Sequence, residues 1–329
     1  MNPFTNCKII GDGVNYDQYA KQPDGVKRGN KAFFMSRGEL MDFAACPSKW
    51  LKGFQDKGGK GQDWGDLLDS LVLAPAKTEM RFVVAPEKYP DGKGGEKDWT
   101  YRAGYCADWK EKQESNGLKV VSSGDMKKAT SALESLKLDA DIMELIDCSK
   151  TQVMVTGEYK DKATGIVVPL KGLLDLVPDV KHAEWGKCLA DFKTASCAAV
   201  FEFGRAITNH HYDAQAFLYK SLYEAATGED RATWTWAVQE SDEPFQPEIY
   251  SASEYFLENG STKILNALKL YCWCLANNKW PSYRSFARLQ YGKHSIIEPE
   301  AWTIASLAGF CKIPENEQPK PQSEGEVVP

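Results

Sequence analysis

Several features that would assign a sequence to a class of protein at once are missing from these 329 residues. No run of 18 or more apolar residues occurs, and the first residues do not place a basic segment before a long apolar one. We therefore expect neither a membrane span nor a signal peptide. The glycine-rich stretches do not complete the G-x4-G-K-[ST] phosphate loop, so nucleotide-driven motor activity gains no support. The nine cysteines, an odd number spread over the whole length, suit reduced thiols better than a disulfide framework. Together with these absences, they predict a cytoplasmic protein with no membrane partner.

Metal-binding cysteine pairs and a basic excess are also missing. The nine cysteines form no C-x2-C pair, and Cys272 and Cys274 lie in an apolar stretch with helical spacing, which favours buried thiols over a zinc or iron–sulfur site. Only four histidines occur, and the adjacent His210 and His211 would point about 100° apart on a helix. The net charge of −6 argues against a general nucleic-acid coat protein. It is compatible with an enzyme whose carboxylates hold divalent cations.

The composition, with 43% hydrophobic and 26% charged residues, is that of a globular protein. We predict a loosely docked arm over 1–30, one folded domain over 31–313 and a disordered tail over 314–329. Helical spacing begins at Ser36 with an S-x-x-E capping box and returns in an apolar stripe from Trp64 to Val72. Between residues 150 and 195 the pattern changes to short apolar runs separated by turns, which predicts an antiparallel meander.

One carboxylate lies where an apolar residue would be expected. Asp175 stands in the apolar run K-G-L-L-D-L-V, and Asp191 and Lys193 follow in the next run as D-F-K. Side chains alternate along a strand, so Asp191 and Lys193 share one face and Phe192 points to the other, into the core. If the two strands form a hairpin, both carboxylates and the ammonium meet at one end of the sheet. Glu158 on the preceding strand could join them.

This set of side chains predicts a divalent-cation site. Mg²⁺ prefers oxygen ligands and keeps several waters, so one or two carboxylates and a substrate phosphate usually hold it. Two such ions about 4 Å apart would stabilise the attacking and leaving oxygens of phosphodiester hydrolysis. Lys193 could orient the attacking water. The alternative is a solvent-facing carboxylate–lysine pair, which a D-x-K tripeptide on a strand usually is.

The helix expected after these strands carries a polar stripe. Tyr212, Gln215, Tyr219 and Tyr223 fall at positions i, i+3, i+7 and i+11, where a purely structural stripe would more often be Leu or Ala. Tyr and Gln side chains can hydrogen-bond a phosphate or steady a catalytic lysine. Amphipathic tyrosines at a helix boundary are the structural alternative.

Several segments of the sequence form a recognisable order: MSRGELMDFAACPSKW, WGDLLDSLVLAP, KGLLDLV, LADFKTA, YDAQAFLY, NKWPSY and IEPEAW. Together they resemble a known family, the RecE (exonuclease VIII) group of phage and prophage proteins within the PD-(D/E)xK nuclease superfamily. KGLLDLV, LADFKTA and YDAQAFLY are similar to the nuclease core of that group. The first segment resembles its opening helices, WGDLLDSLVLAP its G-x3-H-x2-L-L-x-P helix, and the last two its closing segments. The resemblance spans roughly Ser36 to Trp302, and the combined order is more specific than any single segment.

The resemblance implies an α/β fold with a restriction-endonuclease-like core, in which helices flank a central mixed sheet. Asp175 and Asp191 match the metal-binding acids of the family, and Lys193 matches its catalytic lysine. The backbone carbonyl of Phe192 occupies a position that often supplies another metal ligand.

Three further positions follow from the same resemblance. Gln215 and Tyr219 match the Q-x3-Y helix, and Glu158 matches an acidic position on the preceding strand. Asp69 stands where the first motif of the family commonly has histidine. An aspartate there can still bind Mg²⁺, although it changes the local charge; the alternative is that Asp69 only caps or solvates its helix.

The activity implied is that of a Mg²⁺- or Mn²⁺-dependent exodeoxyribonuclease, which degrades linear double-stranded DNA from its ends, 5′ to 3′, and leaves 3′ single strands for recombination. The resemblance also implies a homo-oligomeric ring around DNA and a single-strand annealing partner of the RecT or Beta kind. Two alternatives stay open. One is another PD-(D/E)xK end-processing nuclease of the Cas4 or RecB kind, and the other is a catalytically silent DNA-end-binding recombination module.

Overall fold

A computed structural model describes residues 2–54 and 60–285 of the chain. Its strands are β1 (Phe4–Gly11), β2 (Phe82–Val84), β3 (Lys88–Pro90), β4 (Glu96–Asp98), β5 (Lys119–Val121), β6 (Ser149–Lys160), β7 (Val167–Pro178), β8 (Cys188–Ala195), β9 (Thr233–Glu240) and β10 (Pro247–Ser251). Its helices are α1 (Tyr16–Ala20), α2 (Arg37–Ala45), α3 (Pro47–Leu51), α4 (Lys60–Leu73), α5 (Thr78–Arg81), α6 (Gly104–Ser115), α7 (Ser123–Leu136), α8 (Ala140–Asp147), α9 (Val200–Asn209), α10 (Tyr212–Thr227) and α11 (Glu254–Asn277). A short 3-10 helix, Pro75–Lys77, lies between α4 and α5.

Six of these strands form one mixed sheet in the order β1-β6-β7-β8-β9-β10. Every neighbouring pair is antiparallel except β8 and β9, which run parallel. The strands β6, β7 and β8 are the meander that the sequence predicts. The short strands β2 and β5 pair in parallel, and β3 and β4 form a separate antiparallel pair. The predicted α/β fold with a central mixed sheet and flanking helices is confirmed.

Apolar side chains fill both sides of the central sheet. One core includes Phe43 of α2, Leu218 of α10 and Tyr271 of α11. The other includes Leu68 of α4 and Phe192 of β8, together with residues of α7 and α8. A sheet covered on both faces needs strands that are apolar almost throughout. This is why a carboxylate in the middle of such a strand stands out in the sequence.

The ends of two helices follow the sequence signals. Ser36 caps α2, since its hydroxyl accepts a hydrogen bond from the Glu39 amide at 3.3 Å. The Glu39 carboxylate is used differently from the capping-box prediction, because it accepts hydrogen bonds from Arg28 and from the indole of Trp50. Gly228 ends α10 with a φ of 73°, a left-handed conformation that favours glycine.

The beginning of the chain differs from the prediction. Residues 4–11 form the edge strand β1, which pairs with β6, and Phe4 is buried in the core. The ammonium of Lys171 on β7 donates hydrogen bonds to the carbonyl oxygens of residues 19–21 and so holds the end of α1. The prediction of a loosely docked arm over 1–30 is therefore wrong. The pairing of β1 with β6 contains two register shifts, which hide the alternation expected of a strand.

The chain divides into a compact unit that ends at Trp280 and a second unit that starts at Pro281, of which only residues 281–285 are described. The predicted end of the folded domain at 313, the tail over 314–329 and the IEPEAW segment lie outside the described residues, so those boundaries stay predictions. Within the part of the chain that is described, no helix has the length and apolar content needed to cross a membrane.

Candidate active site

The strands β7 and β8 bring the predicted carboxylates and ammonium together. Leu176 pairs with Ala190 across the two antiparallel strands, which places Asp175 beside Asp191. The Nζ atom of Lys193 lies 2.5 Å from Oδ2 of Asp191 and 3.9 Å from Oδ2 of Asp175. Asp191 is fully buried, whereas the side chains of Asp175 and Lys193 keep 18% and 15% of their surface exposed. The cluster is therefore recessed but still partly exposed to solvent.

The backbone at Phe192 belongs to the same cluster. Its amide donates a hydrogen bond to Oδ2 of Asp175 at 3.2 Å, so a side chain takes the acceptor role that a backbone carbonyl has in an ordinary ladder. Its carbonyl oxygen accepts a hydrogen bond from Nζ of Lys193, also at 3.2 Å. The aromatic ring packs in the core on the other face, as alternation along the strand predicts.

A buried amide on α10 contacts the cluster. The Nε2 atom of Gln215 donates a hydrogen bond to Oδ1 of Asp191 at 2.7 Å. The Oε1 atom of the same side chain accepts from Nη2 of Arg37 at 3.4 Å, and Nη1 of Arg37 donates to the backbone carbonyl of His210 at 3.1 Å. The sequence predicts a role for Gln215 but gives no sign of one for Arg37, which lies at the start of α2. No motif or spacing in the sequence connects it to Asp191.

The tyrosines of α10 separate into different environments. The Nζ atom of Lys193 lies 5.1 Å from the ring centroid of Tyr212, a cation–π contact. The hydroxyl of Tyr219 lies 3.3 Å from that of Tyr19, so its hydrogen bond joins α10 to α1. Tyr223 donates to a glutamate beyond the end of the helix. Of these tyrosines, Tyr212 therefore makes the closest contact with the cluster.

Asp69 reaches the same cluster from α4. A Cβ atom at Gly65 would lie 2.8 Å from Oγ1 of Thr194 on β8, so glycine at this position allows α4 to pass close to the strand. One turn later, the carboxyl of Asp69 interacts electrostatically with Lys193 and Asp191. Burial raises the pKa of Asp69 to about 7, and the charges of neighbouring aspartates add to this effect while Lys193 opposes it.

Glu158 lies elsewhere, which corrects the prediction. It pairs with Pro169 on β7, six residues before Asp175, or about 20 Å along the strand. Its carboxylate accepts a hydrogen bond from Asn6 of β1 at 2.6 Å. The register places Gln152 of β6, buried and with a φ of 52°, opposite Asp175. Because β6 is 12 residues long, an acid at its far end cannot join the cluster.

The cluster gathers three carboxyl groups around one ammonium, and burial and mutual repulsion disfavour the charged forms of two of the carboxyls. Burial raises the pKa of Asp175 well above its usual range; the neighbouring charge of Asp191 adds to this, and Lys193 opposes it. Burial alone would disfavour the charged form of Lys193, but the carboxylates of Asp191 and Asp175 outweigh that effect and raise its pKa. Asp69 adds a third carboxyl against this one ammonium. A hard divalent cation would offset the repulsion among the carboxylates.

The donors of the cluster fit such a cation by their chemistry, since three carboxyl groups and the Phe192 carbonyl are all oxygen ligands. Within residues 2–54 and 60–285, no three His, Cys, Asp or Glu side chains already have the arrangement of a metal site. The ammonium of Lys193 lies against Asp191 and supplies the positive charge in this arrangement. Cys272 and Cys274, the cysteines considered as metal ligands, are buried in α11 instead.

Comparisons with solved structures reveal a related fold. A protein from Eubacterium rectale named "Putative exonuclease" is 16% identical, has a TM-score of 0.51, and aligns over 90% of this chain and 99% of its own. At that identity the likeness concerns the fold alone. Rai1 from Scheffersomyces stipitis is 11% identical and aligns over 83% of this chain and 76% of its own, but its TM-score of 0.25 is too low to support an argument. No curated protein matches the sequence.

A family model described as "PDDEXK-like domain of unknown function (DUF3799)" matches residues 38–289. The match includes the segments that contain Asp69, Asp175, Asp191 and Lys193. It confirms the predicted likeness to PD-(D/E)xK nucleases. Because the match covers most of the sequence, the chain belongs to this family of PDDEXK-like domains.

Proposed function

We propose that this protein is a divalent-cation-dependent exodeoxyribonuclease, similar to the RecE group, that degrades linear double-stranded DNA from its ends. The observation that carries the proposal is that the side chains of Asp175, Asp191 and Lys193 lie together within a PDDEXK-like domain. The fold shared with the Eubacterium rectale protein named "Putative exonuclease" supports the exonuclease assignment.

The cluster has the parts that phosphodiester hydrolysis requires. Asp69, Asp175, Asp191 and the Phe192 carbonyl would hold Mg²⁺ or Mn²⁺ through oxygen atoms. Such a cation supplies Lewis-acid stabilisation of the charge that develops on the phosphate oxygens. Lys193 would donate a hydrogen bond to the attacking water or to the phosphate, and so orient one against the other.

The finer parts of the proposal rest on the resemblance to the RecE group. They are cleavage from 5′ to 3′, release of 3′ single strands for recombination, a homo-oligomeric ring around DNA, and a RecT-like or Beta-like annealing partner. Duplexes labelled at the 5′ or the 3′ end test the direction of cleavage, because a 5′ to 3′ enzyme releases the 5′ label first. Sedimentation velocity of the full chain tests the ring, and co-purification tests the partner.

The central experiment compares four substrates: linear duplex, nicked circle, closed circle and single-stranded DNA. Each is incubated with Mg²⁺, with Mn²⁺ and with EDTA. We expect the linear duplex to be degraded in either cation, the closed circle to survive, and EDTA to stop cleavage. A preference for single-stranded ends would favour an end-processing nuclease of the Cas4 or RecB kind.

The variant Lys193→Met keeps the apolar stem of the lysine and removes its ammonium, so it serves as the matched control. We expect it to lose cleavage and to remain folded. If the wild-type protein binds DNA ends but cuts none of the four substrates in either cation, the enzyme proposal fails and the silent DNA-end-binding module replaces it. If Lys193→Met cuts as well as the wild type, the site lies elsewhere.

A further inference from the structure

Arg37 is connected to the cluster through one side chain. Its guanidinium donates to Oε1 of Gln215, and the Nε2 of Gln215 donates to Oδ1 of Asp191. We propose that Arg37 is a positioning residue, which fixes the amide of Gln215 so that its N–H group faces Asp191. This inference rests on the proposed function, since Asp191 is a ligand and a reaction partner only in that context.

The physical reason lies in the two ends of a glutamine amide. One end donates hydrogen bonds and the other accepts them, and rotation by 180° exchanges the two. If the oxygen of Gln215 faced Asp191, two acceptors would meet in a buried place and repel each other. A guanidinium has only donors, so Arg37 can pair with the amide oxygen but not with the amide nitrogen. The presence of Arg37 therefore selects the orientation in which Gln215 donates to Asp191.

Arg37 is itself held in a fixed position. It is the first residue of α2, directly after the Ser36 cap, and its Nη1 donates to the carbonyl of His210 between α9 and α10. The guanidinium thus uses one nitrogen to fix its own place and the other to contact Gln215. A planar donor fork of this kind loses little rotamer freedom when both of its bonds form.

The partners of Arg37 support an orienting role over simple charge neutralisation. Across the described ranges, 2–54 and 60–285, it forms no ion pair with an aspartate or glutamate, and both of its acceptors are neutral oxygens. Its Nε atom is buried without a hydrogen-bond partner in the same part of the chain. A half-buried cation without a carboxylate partner costs free energy. If Arg37 only filled space, an apolar side chain could do so without that cost.

The first test measures binding and catalysis separately. We expect Arg37→Met to weaken Mn²⁺ binding, followed by isothermal titration calorimetry without DNA, by about 10- to 100-fold, the range typical of residues that orient metal ligands. In Mn²⁺ held at saturation, we expect kcat to fall while the KM for linear duplex changes little. A rise in KM with unchanged kcat and unchanged Mn²⁺ affinity would mean that Arg37 contacts DNA instead, and would overturn the inference.

The second test is a double-mutant cycle with Gln215. If Arg37 acts through the amide, the variant that combines Arg37→Met and Gln215→Met binds Mn²⁺ no more weakly than Gln215→Met alone. If the two losses multiply, Arg37 acts independently and the inference fails. The exposed Arg102 provides a control, because Arg102→Met removes the same charge from a side chain that is not among the hydrogen-bond partners of Gln215, and it should leave Mn²⁺ affinity unchanged.

Two measurements distinguish an effect on the orientation of Gln215 from a loss of folding and from a failure of the proposed function. Thermal unfolding establishes that each variant is folded, and Arg37→Gln enters the same cycle if Arg37→Met does not fold. The Mn²⁺ titration needs no DNA cleavage. If the wild type binds Mn²⁺ but cuts no DNA, the exonuclease proposal fails, while the coupling of Arg37 with Gln215 is still measured.

Discussion

Two lysines on neighbouring strands of one sheet, one buried and one mostly buried, have opposite electrostatic environments. Lys193 on β8 lies against carboxylates, and they raise its pKa even though burial opposes the charge. Lys171 on β7 donates to three backbone carbonyls and forms no ion pair within the described residues, so burial lowers its pKa to about 8. Burial alone therefore does not identify a functional lysine. The charge of the neighbours is the better guide, because only carboxylates beside the lysine could hold a cation, and that cation would in turn attract a phosphate.

The largest expected effect separates the two lysines by activity. Lys193→Met should reduce cleavage of linear duplex by about 10²- to 10³-fold or more, because a charged donor next to the reacting phosphate is lost. Lys171→Met should keep cleavage within a few-fold of wild type at a temperature where both are folded. Rates measured on end-labelled duplex in saturating Mg²⁺ check both. If the Lys171 variant loses as much activity as the Lys193 variant, the contrast between the two environments does not describe function.

The second effect concerns the cation. Mn²⁺ at about 100 times its dissociation constant should raise the free energy of unfolding by about 2.7 kcal/mol in wild type and in Lys171→Met. Asp191→Asn should lose most of that gain because it removes a charged ligand. Lys193→Met should keep the gain in the free energy of unfolding, since removal of the ammonium leaves the carboxyl ligands in place and makes the cluster more negative than in the wild type. Urea unfolding with and without Mn²⁺ measures each difference, and a gain that survives in Asp191→Asn would place the cation elsewhere.

Much of this arrangement was predictable from local patterns. The alternation of side chains placed Asp191 and Lys193 on one face, and the helical spacing of α4 and α10 placed Asp69 and Gln215 on helices that border the sheet. These are short-range properties that the sequence carries directly. The chemical roles of these residues stay predictions.

What could not be predicted depends on register and on long-range packing. Glu158 lies too far from Asp175 to join the cluster, because the register of β6 on β7 places it opposite Pro169. That register is a relation between two strands, and the sequence of one strand does not contain it. Arg37 and Lys171 meet their partners across 178 and about 150 residues of chain. The edge strand β1 was hidden by its register shifts. In each case the deciding contact lies between elements and leaves no periodic mark in the sequence.

The third effect is on stability. Lys171→Met should lower the free energy of unfolding by about 1–3 kcal/mol at pH 7, because the carbonyls at the end of α1 lose their donor, a loss that relief of the buried charge offsets only in part. Urea unfolding followed by tryptophan fluorescence measures it. No destabilisation would mean that the ammonium is not what holds the start of the chain against the sheet.

The most gradual effect is a pH dependence of the free energy of unfolding, part of which Lys171→Met should abolish. Its pKa is about 8 in the folded protein and about 10.5 in an unfolded chain, so between these values the unfolded state binds more protons. The free energy of unfolding of the wild type should therefore rise with pH across this window, relative to Lys171→Met, by at most about 1.4 kcal/mol per pH unit. Below pH 8 both states are protonated and the difference between the two proteins should be constant. Tyrosines titrate in the same range, but they are present in both proteins and cancel in the comparison. Parallel stability curves from pH 7 to 10 would show that Lys171 keeps an ordinary pKa, and that three carbonyl groups can stabilise a buried ammonium as well as carboxylates do.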